Sequence, residues 1–417
     1  MILKDVFNLC CDIQKSDEGE IVFREMESCV LCIKDPSMIK EITGNSKSEP
    51  FVLRCISEKK VSGKIIVEGE IRGKKYPLVV CNNNQYIFLF NPLEVIEYYR
   101  DERGEYNNKI PVFLRLPFNI DALPENIKTF IGNHISRKEN KEAYAKIDQI
   151  SIVDLLYLII NYCYKSDNKM QKCLSYPKKK KYAVLLSHDI ESNKIQNNVK
   201  EIIAIEEKYD LKSTSFFVTN SFKINNVLLE YIVESGNEVA CHGYLHDMKL
   251  IYLSSFARRK RFVLMKERLA DYNVVGFRSP AWLRCDEMFE ELSEFFIYDS
   301  SILDYDRFSY SYQWTGRDGC HTVFPFKRDK ILEIPVTILP ELPVLLKLNI
   351  NMLQFWKMKI DLIKNIGGVI HIMFHPGKYG QTKKKEFCEL FEYILDGEYC
   401  NCTLKEFAMF WNQNVLR

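Results

Sequence analysis

Two short groups of residues in the second half of the chain carry side chains suited to metal binding. They are Ser187-His188-Asp189, which follows an apolar run, and His242-Gly243-Tyr244-Leu245-His246. One carboxylate, from Asp189, and two imidazoles four residues apart can hold a divalent cation by three bonds and leave positions for water and substrate. If the second group is helical, the rings of His242 and His246 project from one face. This is the chemistry of a metal-dependent hydrolase.

The elements that must position these groups alternate regularly after residue 181. Apolar runs at 182–186, 213–219, 238–241, 274–277, 295–298, 331–336 and 368–374 predict strands, and helical patterns separate most of them. This alternation predicts a parallel sheet with crossover helices, closed into a barrel or a distorted barrel. In such barrels the active site lies at the C-terminal ends of the strands. The polar residues at those ends are His188, Asp189, His242, Arg278, Asp299 and His375.

The 417 residues suffice for two or three domains with a large core. Residues 1–150 predict a smaller mixed α+β domain of unknown role, with one histidine, His134, and no catalytic grouping. Residues 151–180 predict a helix and a lysine-rich linker, and residues 181–417 predict the catalytic barrel.

Composition excludes several classes of protein. A formal net charge of +2 with 27% charged residues gives no basis for nucleic-acid binding. Lys4 and Asp5 interrupt the first apolar residues, so no signal peptide is expected, and no apolar stretch is long enough to span a membrane. Fourteen cysteines without an export signal indicate a reducing compartment. The expected location is therefore the cytoplasm.

Six motifs, in order, resemble those of the polysaccharide deacetylase family, the metal-dependent carbohydrate esterases related to chitin and peptidoglycan deacetylases. The motifs are LLSHD (185–189), STSFFV (213–218), GNEVACHGYLH (236–246), GFRSP (276–280), YDSS (298–301) and IMFHP (372–376). The resemblance does not reach the first 150 residues or so. It implies a distorted (β/α) barrel that removes an acetyl group from an N-acetylated or O-acetylated sugar or polysaccharide precursor, with metal-bound water as the nucleophile.

The resemblance also implies a ligand set and a base. Asp189, His242 and His246 are expected to bind one divalent metal ion, with zinc expected and cobalt, manganese or iron as alternatives. His188 stands where the family has a catalytic aspartate, and an imidazole suits proton transfer at neutral pH. Neighbours on a strand face opposite sides, so His188 and Asp189 share a site only if the chain turns there. Gly243 stands where the family favours Ser or Thr.

By the same resemblance, His375 is the expected general acid, and Asp299 is expected to orient its ring. His371, four residues earlier and therefore on the same face of its strand, is the alternative acid. Arg278 is expected to pair with the residue in the base position and to order the site. A structural salt bridge is the alternative for this arginine.

Three aromatic residues are candidates for stacking on a sugar ring: Trp282, Trp314 and Tyr312. Packing is the alternative for each. The expected partner is an N-acetylated glycan or sugar precursor, and the oligomeric state is open. Two other functions fit the residues: a non-catalytic carbohydrate-binding relative that has lost its aspartate base, and an iron oxygenase with two histidines and one carboxylate.

Overall fold

The computed structural model describes residues 2–3, 9–10, 20–42, 47–57, 61–102, 150–166, 176–305, 317–339, 351–376 and 381–414. The chain forms two compact units: residues 1–104, 149–174 and 415–417 make up the first, and residues 105–148 and 175–414 the second. The helix predicted within 151–180 therefore falls in the first unit, and the lysines at 178–181 fall in the second. None of the described helices is long and apolar enough to cross a membrane.

The described part of the first unit has seven strands and three helices. Its strands are β1 (Ile2–Leu3), β2 (Leu9–Cys10), β3 (Glu20–Ile33), β4 (Lys47–Ser57), β5 (Lys64–Ile71), β6 (Lys74–Asn82) and β7 (Gln85–Phe88). Its helices are α1 (Pro36–Ile42), α2 (Pro92–Arg100) and α3 (Ile152–Ser166).

Strands β3 to β7 of this unit form an antiparallel sheet in the order β4-β3-β5-β6-β7. The hairpins turn at Arg72-Gly73 and Asn83-Asn84, where all four residues have positive φ. Such turns match the twist of the flanking strands. Helix α3 packs on α1, α2 and β4, and the Asn91 side chain caps α2 by accepting from the N–H groups of Leu93 and Glu94.

The second unit is built on one sheet of nine described strands. They are β8 (Tyr182–Ile190), β9 (Ser213–Phe217), β10 (Glu238–Cys241), β11 (Gly276–Phe277), β12 (Tyr298–Asp299), β13 (Phe326–Arg328), β14 (Ile331–Glu333), β15 (Val369–Phe374) and β16 (Tyr399–Asn401). Seven of them are parallel neighbours in the order β14-β12-β11-β10-β9-β8-β15. Strand β13 forms an antiparallel hairpin with β14, and β16 lies beside the first residues of β8.

The segment after β14 closes this sheet into a ring. Val336 pairs in parallel with Leu303, just beyond β12, and Ile338 pairs in parallel with Ile372 of β15. The N–H of Met373 donates to the carbonyl oxygen of Ile338 at 3.1 Å. The ring is irregular because isolated bridges, and not a continuous ladder, join its two ends. The predicted distorted (β/α) barrel is confirmed.

Helices connect the strands of the barrel. They are α4 (Asn193–Gln196), α5 (Val199–Glu207), α6 (Asn226–Glu234), α7 (Ser255–Arg268), α8 (Asp286–Leu292), α9 (Met352–Ile366), α10 (Gln381–Leu395) and α11 (Leu404–Asn414). Side chains of Ser192, Asn225, Ser254 and Asn351 cap α4, α6, α7 and α9 by accepting backbone N–H bonds. The sequence therefore marks where four of these helices begin.

Candidate metal centre and active site

Strand β8 sends alternate side chains to opposite sides of the barrel wall, as the two-residue period of a strand requires. Ser187 and Asp189 face the interior, where both bind the guanidinium of Arg278: Nη1 donates to Asp189 Oδ1 at 2.8 Å, and Nη2 donates to Ser187 Oγ at 2.9 Å. His188 faces outward, and its Nε2 lies 2.8 Å from Oε1 of Glu206 on α5. Arg278 thus pairs with Asp189.

This placement corrects the prediction of a catalytic base at His188. The ring is fully buried and packs edge-on against Phe374, with ring centroids 4.3 Å apart. Its partner Glu206 also accepts a hydrogen bond from Ser213 Oγ at 2.7 Å. The chain does not turn at His188, because β8 continues to Ile190. The imidazole therefore stays on the side of the sheet away from Asp189.

Glu191, one residue beyond β8, supplies the carboxylate that faces both histidines of the second sequence group. Its Oε1 lies 3.0 Å from His246 Nε2, 3.4 Å from His242 Nε2 and 3.2 Å from His375 Nε2. Asp189 Oδ2 lies 3.5 Å from His242 Nε2. The ligand atoms of Glu191, His242 and His246 lie within 4.8 Å of one another. The structure thus groups Glu191, and not the predicted Asp189, with both histidines.

The hydrogen bonds of His242 fit a metal ligand. Its Nδ1 lies 3.0 Å from the carbonyl oxygen of Arg278, which only accepts, so Nδ1 carries the ring proton. In the neutral ring Nε2 is then a bare lone pair, and it faces the carboxylate oxygens of Glu191 and Asp189. Either a proton on Nε2 or a metal cation in its place satisfies these facing acceptors. Two imidazoles and a carboxylate are a donor set that zinc and related ions take, and an Nδ1 bond to a carbonyl is the usual support for such a ligand.

The histidine pair does not lie on a helix, because residues 242–246 form a loop. The loop still brings the rings together, with the centroids of His242 and His246 5.5 Å apart. Gly243 has φ of 87°, and a Cβ there would lie 2.8 Å from Cγ of Pro280. Glycine meets both demands, since a larger residue would be strained and would collide.

Contacts on two sides hold the loop that carries His246. The N–H of His246 donates to Ser221 Oγ at 3.2 Å. The next residue, Asp247, receives two hydrogen bonds from Arg261 of α7, at 2.8 and 2.7 Å. A paired fork of this kind fixes orientation as well as distance. Helix α7 thereby anchors the loop beside the metal-ligand cluster.

Both carboxylates of the cluster remain ionised. Burial works to raise the pKa of Asp189, but the charges of His242 and Arg278 outweigh it, so that this pKa lies below its usual value. Burial also opposes ionisation of Glu191, yet neighbouring imidazoles, His246 foremost, hold its pKa well below the usual range. The site therefore offers two anions at neutral pH.

Asp299 does not orient His375, which corrects that prediction. Asp299 lies directly opposite Glu333 in the paired strands β12 and β14, and its Oδ1 accepts from Ser301 Oγ at 2.6 Å. Burial, joined by the charge of Asp299, raises the pKa of Glu333 well above its usual value, and burial raises the pKa of Asp299 as well. The two carboxyl groups therefore share a proton and form a structural pair.

Of the three aromatic candidates, Trp314 and Tyr312 lie outside the described residues. Trp282 packs against an apolar cluster formed by Leu303, Val336 and Met373. We call these four residues the apolar wall. Two consecutive residues, Ala281 and Trp282, have φ of 53°, a conformation that costs energy in residues other than glycine.

One residue of the apolar wall is near His375 in the chain. Met373 lies in β15, and His375 follows directly after the end of this strand at Phe374, two residues beyond Met373. His371 lies earlier in the strand and is fully buried, with its ring nitrogens bonded to Ser187 and to the Pro335 carbonyl. This arrangement favours His375 over His371 as a group that can reach a substrate.

Sequence reasoning missed Glu191, although a signal was present. Asp189 and Glu191 are two residues apart, a spacing that places both side chains on one face of an extended segment. The pair of carboxylates at the end of a buried strand could have been read as one base and one ligand.

Comparison with known proteins gives a family and several structural neighbours. Residues 176–279 match the family model described as polysaccharide deacetylase. A putative polysaccharide deacetylase from Mycobacterium smegmatis is 18% identical with a TM-score of 0.46, over 59% of this chain and 96% of the other. PuuE allantoinase is 12% identical with a TM-score of 0.46, over 58% and 94%. A mutant of a CE4 family pseudoenzyme, with restored enzymatic activity, is 17% identical with a TM-score of 0.37, over 58% and 73%.

A search of curated protein sequences finds no match.

Proposed function

We propose that the second unit is a metal-dependent hydrolase, because residues 176–279 match the polysaccharide deacetylase family. Its substrate would be an acetylated sugar or polysaccharide precursor, and its products acetate and the freed amine or alcohol. The observation that carries this proposal is the convergence of two anionic carboxylates and three imidazole Nε2 atoms at the ends of β8, β10 and β15. Glu191 Oε1 lies within 3.0 to 3.4 Å of all three imidazoles.

In this proposal Glu191, His242 and His246 hold one divalent metal ion, for which zinc is the first candidate. Such an ion supplies an activated water at neutral pH and polarises a carbonyl oxygen. The side chains around it supply proton transfer, orientation and an apolar surface. Their roles follow from where each atom lies.

Asp189 is the proposed general base. Arg278 holds its Oδ1 at 2.8 Å, which leaves Oδ2 facing the His242 side of the cluster. A carboxylate held in one orientation by a buried guanidinium accepts a proton at a defined position. An alternative without a catalytic base was expected because His188 stands in the aspartate position. That reason does not apply when Asp189 is the base and Glu191 is the ligand.

His375 is the proposed general acid. Its Nε2 lies 3.2 Å from Glu191 Oε1, and its ligand atom groups with Asp189 and Glu191 within 4.8 Å. A protonated imidazole at this point can pass its proton to the departing nitrogen or oxygen of the substrate, a step that contributes about 10² to 10⁴-fold in other enzymes.

The apolar wall is the proposed contact for the methyl of the acetyl group. Trp282 is the partly exposed member of the wall, and it packs on Leu303, Val336 and Met373, which are each 3% exposed or less, so the substrate would meet the indole. Contact with such a surface favours a small apolar acyl substituent over a charged one. Met373 of the wall lies two residues before His375, which would protonate the leaving group.

The test is acetate release from N-acetylated oligosaccharides and from O-acetylated sugars, with and without added Zn²⁺, Co²⁺ or Mn²⁺. We expect release that a chelator abolishes and that metal restores. The matched control is the variant Glu333→Gln, a buried carboxylate outside the cluster, which should keep activity.

Absence of acetate release from every acetylated sugar, by protein that binds the metal, would remove the hydrolase proposal. If the same protein still bound the oligosaccharides, the carbohydrate-binding alternative would take its place. The donor set alone also fits an iron oxygenase, and consumption of 2-oxoglutarate with Fe²⁺ would reveal that chemistry.

A further inference from the structure

One buried histidine inside the barrel has no part in the proposed chemistry. His371 is 0% exposed and lies on the interior face of β15, close to the Arg278 guanidinium. Its Nδ1 lies 3.0 Å from the carbonyl oxygen of Pro335. Its Nε2 lies 2.9 Å from Ser187 Oγ and 3.3 Å from Arg278 Nη2.

These partners determine the tautomer of His371. A carbonyl oxygen only accepts, so Nδ1 carries the proton that bonds Pro335. A guanidinium only donates, so Nε2 must be the bare, accepting nitrogen. A second proton on Nε2 would face the positive charge of Arg278. Burial, together with that charge, holds the pKa of His371 well below its usual value.

The neutral ring in turn orients Ser187. A bare Nε2 at 2.9 Å accepts the hydroxyl proton of Ser187, whose oxygen lone pairs then face Arg278 Nη2 at 2.9 Å. The donors therefore run in one direction, from Arg278 through Ser187 and His371 to the Pro335 carbonyl. Hydrogen bonds aligned in this way polarise one another in a buried environment.

The other guanidinium donors of Arg278 are also occupied. Nε donates to the carbonyl oxygen of Ser300 at 3.0 Å, Nη2 donates to Ser300 Oγ at 3.0 Å, and Nη1 donates to Asp189 Oδ1 at 2.8 Å. The guanidinium also lies over the ring of Phe216, with Cζ 4.2 Å from its centroid. Ser187 and Ser300 thus use both N–H groups of Nη2, and His371 acts on the guanidinium through the hydroxyl group of Ser187.

We propose that His371 is a positioning residue. As a neutral acceptor acting with Ser187, it fixes the position of Arg278. Arg278 in turn holds Asp189 in the orientation of a base. This inference rests on the proposed function, in which Asp189 takes the proton. His371 touches neither substrate nor metal, and it acts only through the arginine. It is therefore not the general acid.

The test compares His371→Leu, which removes the acceptor, with His371→Gln, which retains an accepting oxygen in a side chain of similar reach. For the leucine variant we expect kcat to fall about 10 to 100-fold with KM and bound metal unchanged, and for the glutamine variant we expect most of that loss to be restored. The matched control is Ile370→Ala, a fully buried neighbour on the opposite face of β15, which should lower stability but not kcat.

Two readouts do not depend on turnover. Nitrogen-15 NMR of histidine-labelled protein should show His371 as the neutral ring protonated on Nδ1. A crystal structure of His371→Leu should show the Arg278 guanidinium displaced from Asp189. A ring protonated on Nε2, or a leucine variant that keeps both the Arg278–Asp189 contact and the kcat of the parent, would overturn the proposal. If the parent protein releases no acetate, the proposed function fails, and these two readouts still decide the role of His371.

Discussion

Two pairs of carboxyl groups lie near the ends of parallel strands in the second unit, and their charges differ. Asp189 and Glu191 have pKa values below the usual range, so both are anions. Asp299 and Glu333 have pKa values above the usual range and share a proton. The pairs occupy one sheet and are both buried or partly buried, so burial alone does not distinguish them.

Cationic neighbours make the difference. Burial raises the pKa of a carboxyl group unless positive charge compensates. Arg278 and three imidazoles converge on Asp189 and Glu191, whereas the main influences on Glu333, besides burial, are the negative charge and hydrogen bond of Asp299. The Asp189–Glu191 pair can therefore bind a cation and accept a proton, whereas the Asp299–Glu333 pair only links strands β12 and β14.

The largest effect is expected from Glu191→Gln, which removes the anion while keeping the size of the side chain. We expect the affinity for Zn²⁺ to fall by more than about 100-fold, because even changes to groups that support a ligand cost 10 to 100-fold. Metal titration by calorimetry measures this, with Glu333→Gln as the control that should retain the metal. An unchanged affinity would show that Glu191 is not a ligand.

Next in size is Asp189→Asn, which should keep the metal but lower kcat by about 10² to 10⁴-fold, the range for loss of a general base. Acetate release and metal content, measured on the same sample, separate the two effects. Loss of the metal in this variant would return Asp189 to the ligand set, as the sequence first predicted, and would contradict the base role.

Another buried carboxyl group, Glu238 of β10, extends the comparison to a site where the charge of Lys405 does not outweigh burial. It accepts from Thr214 Oγ1, from Tyr298 OH and from the backbone N–H of Lys405, each at 2.8 Å. Burial nevertheless raises its pKa to about 7. The folded protein therefore binds a proton at this carboxyl group over a pH range where the unfolded chain has lost it.

The sign of the pH dependence follows from this difference. The Glu238 carboxyl group should make its full contribution to the free energy of unfolding below about pH 4.5, and this contribution should be lost as the pH rises through 7. At higher pH the folded state should then be about 3 kcal/mol less stable than at pH 4.5. Urea unfolding of the parent and of Glu238→Gln, compared between pH 5 and pH 8, measures this contribution. A difference in unfolding free energy that is the same at every pH would contradict it.

The smallest effect is expected from Glu333→Gln. A protonated carboxyl group and an amide have similar shapes, and both donate one hydrogen bond toward Asp299. Both also accept a hydrogen bond from the N–H of Ile302, which lies 2.9 Å from Glu333 Oε1 in the parent protein. We expect the free energy of unfolding at pH 7 to change by less than about 1 kcal/mol. A loss of several kcal/mol in urea unfolding would mean that Glu333 is ionised in the folded protein.

Much of the fold could be predicted from the sequence because its signals are local. Apolar runs and helical periodicity indicated the strands and crossover helices of the second unit, and the strand-end positions of Asp189, His242, Arg278 and His375 indicated one site. The alternation predicted a closed barrel, but the segments that close it could not be identified from local signals, because the closure consists of two isolated bridges between residues far apart in the chain, such as Ile338 and Ile372.

The sequence by itself determined which chemical groups are present and which strands deliver them. The tertiary structure decided which of these groups meet, because the strand period turns Ser187 and Asp189 inward and His188 outward, toward Glu206. It also decided the charges, since the pKa of a carboxyl group depends on which cations the folded chain brings within a few ångströms, and no linear spacing specifies that distance.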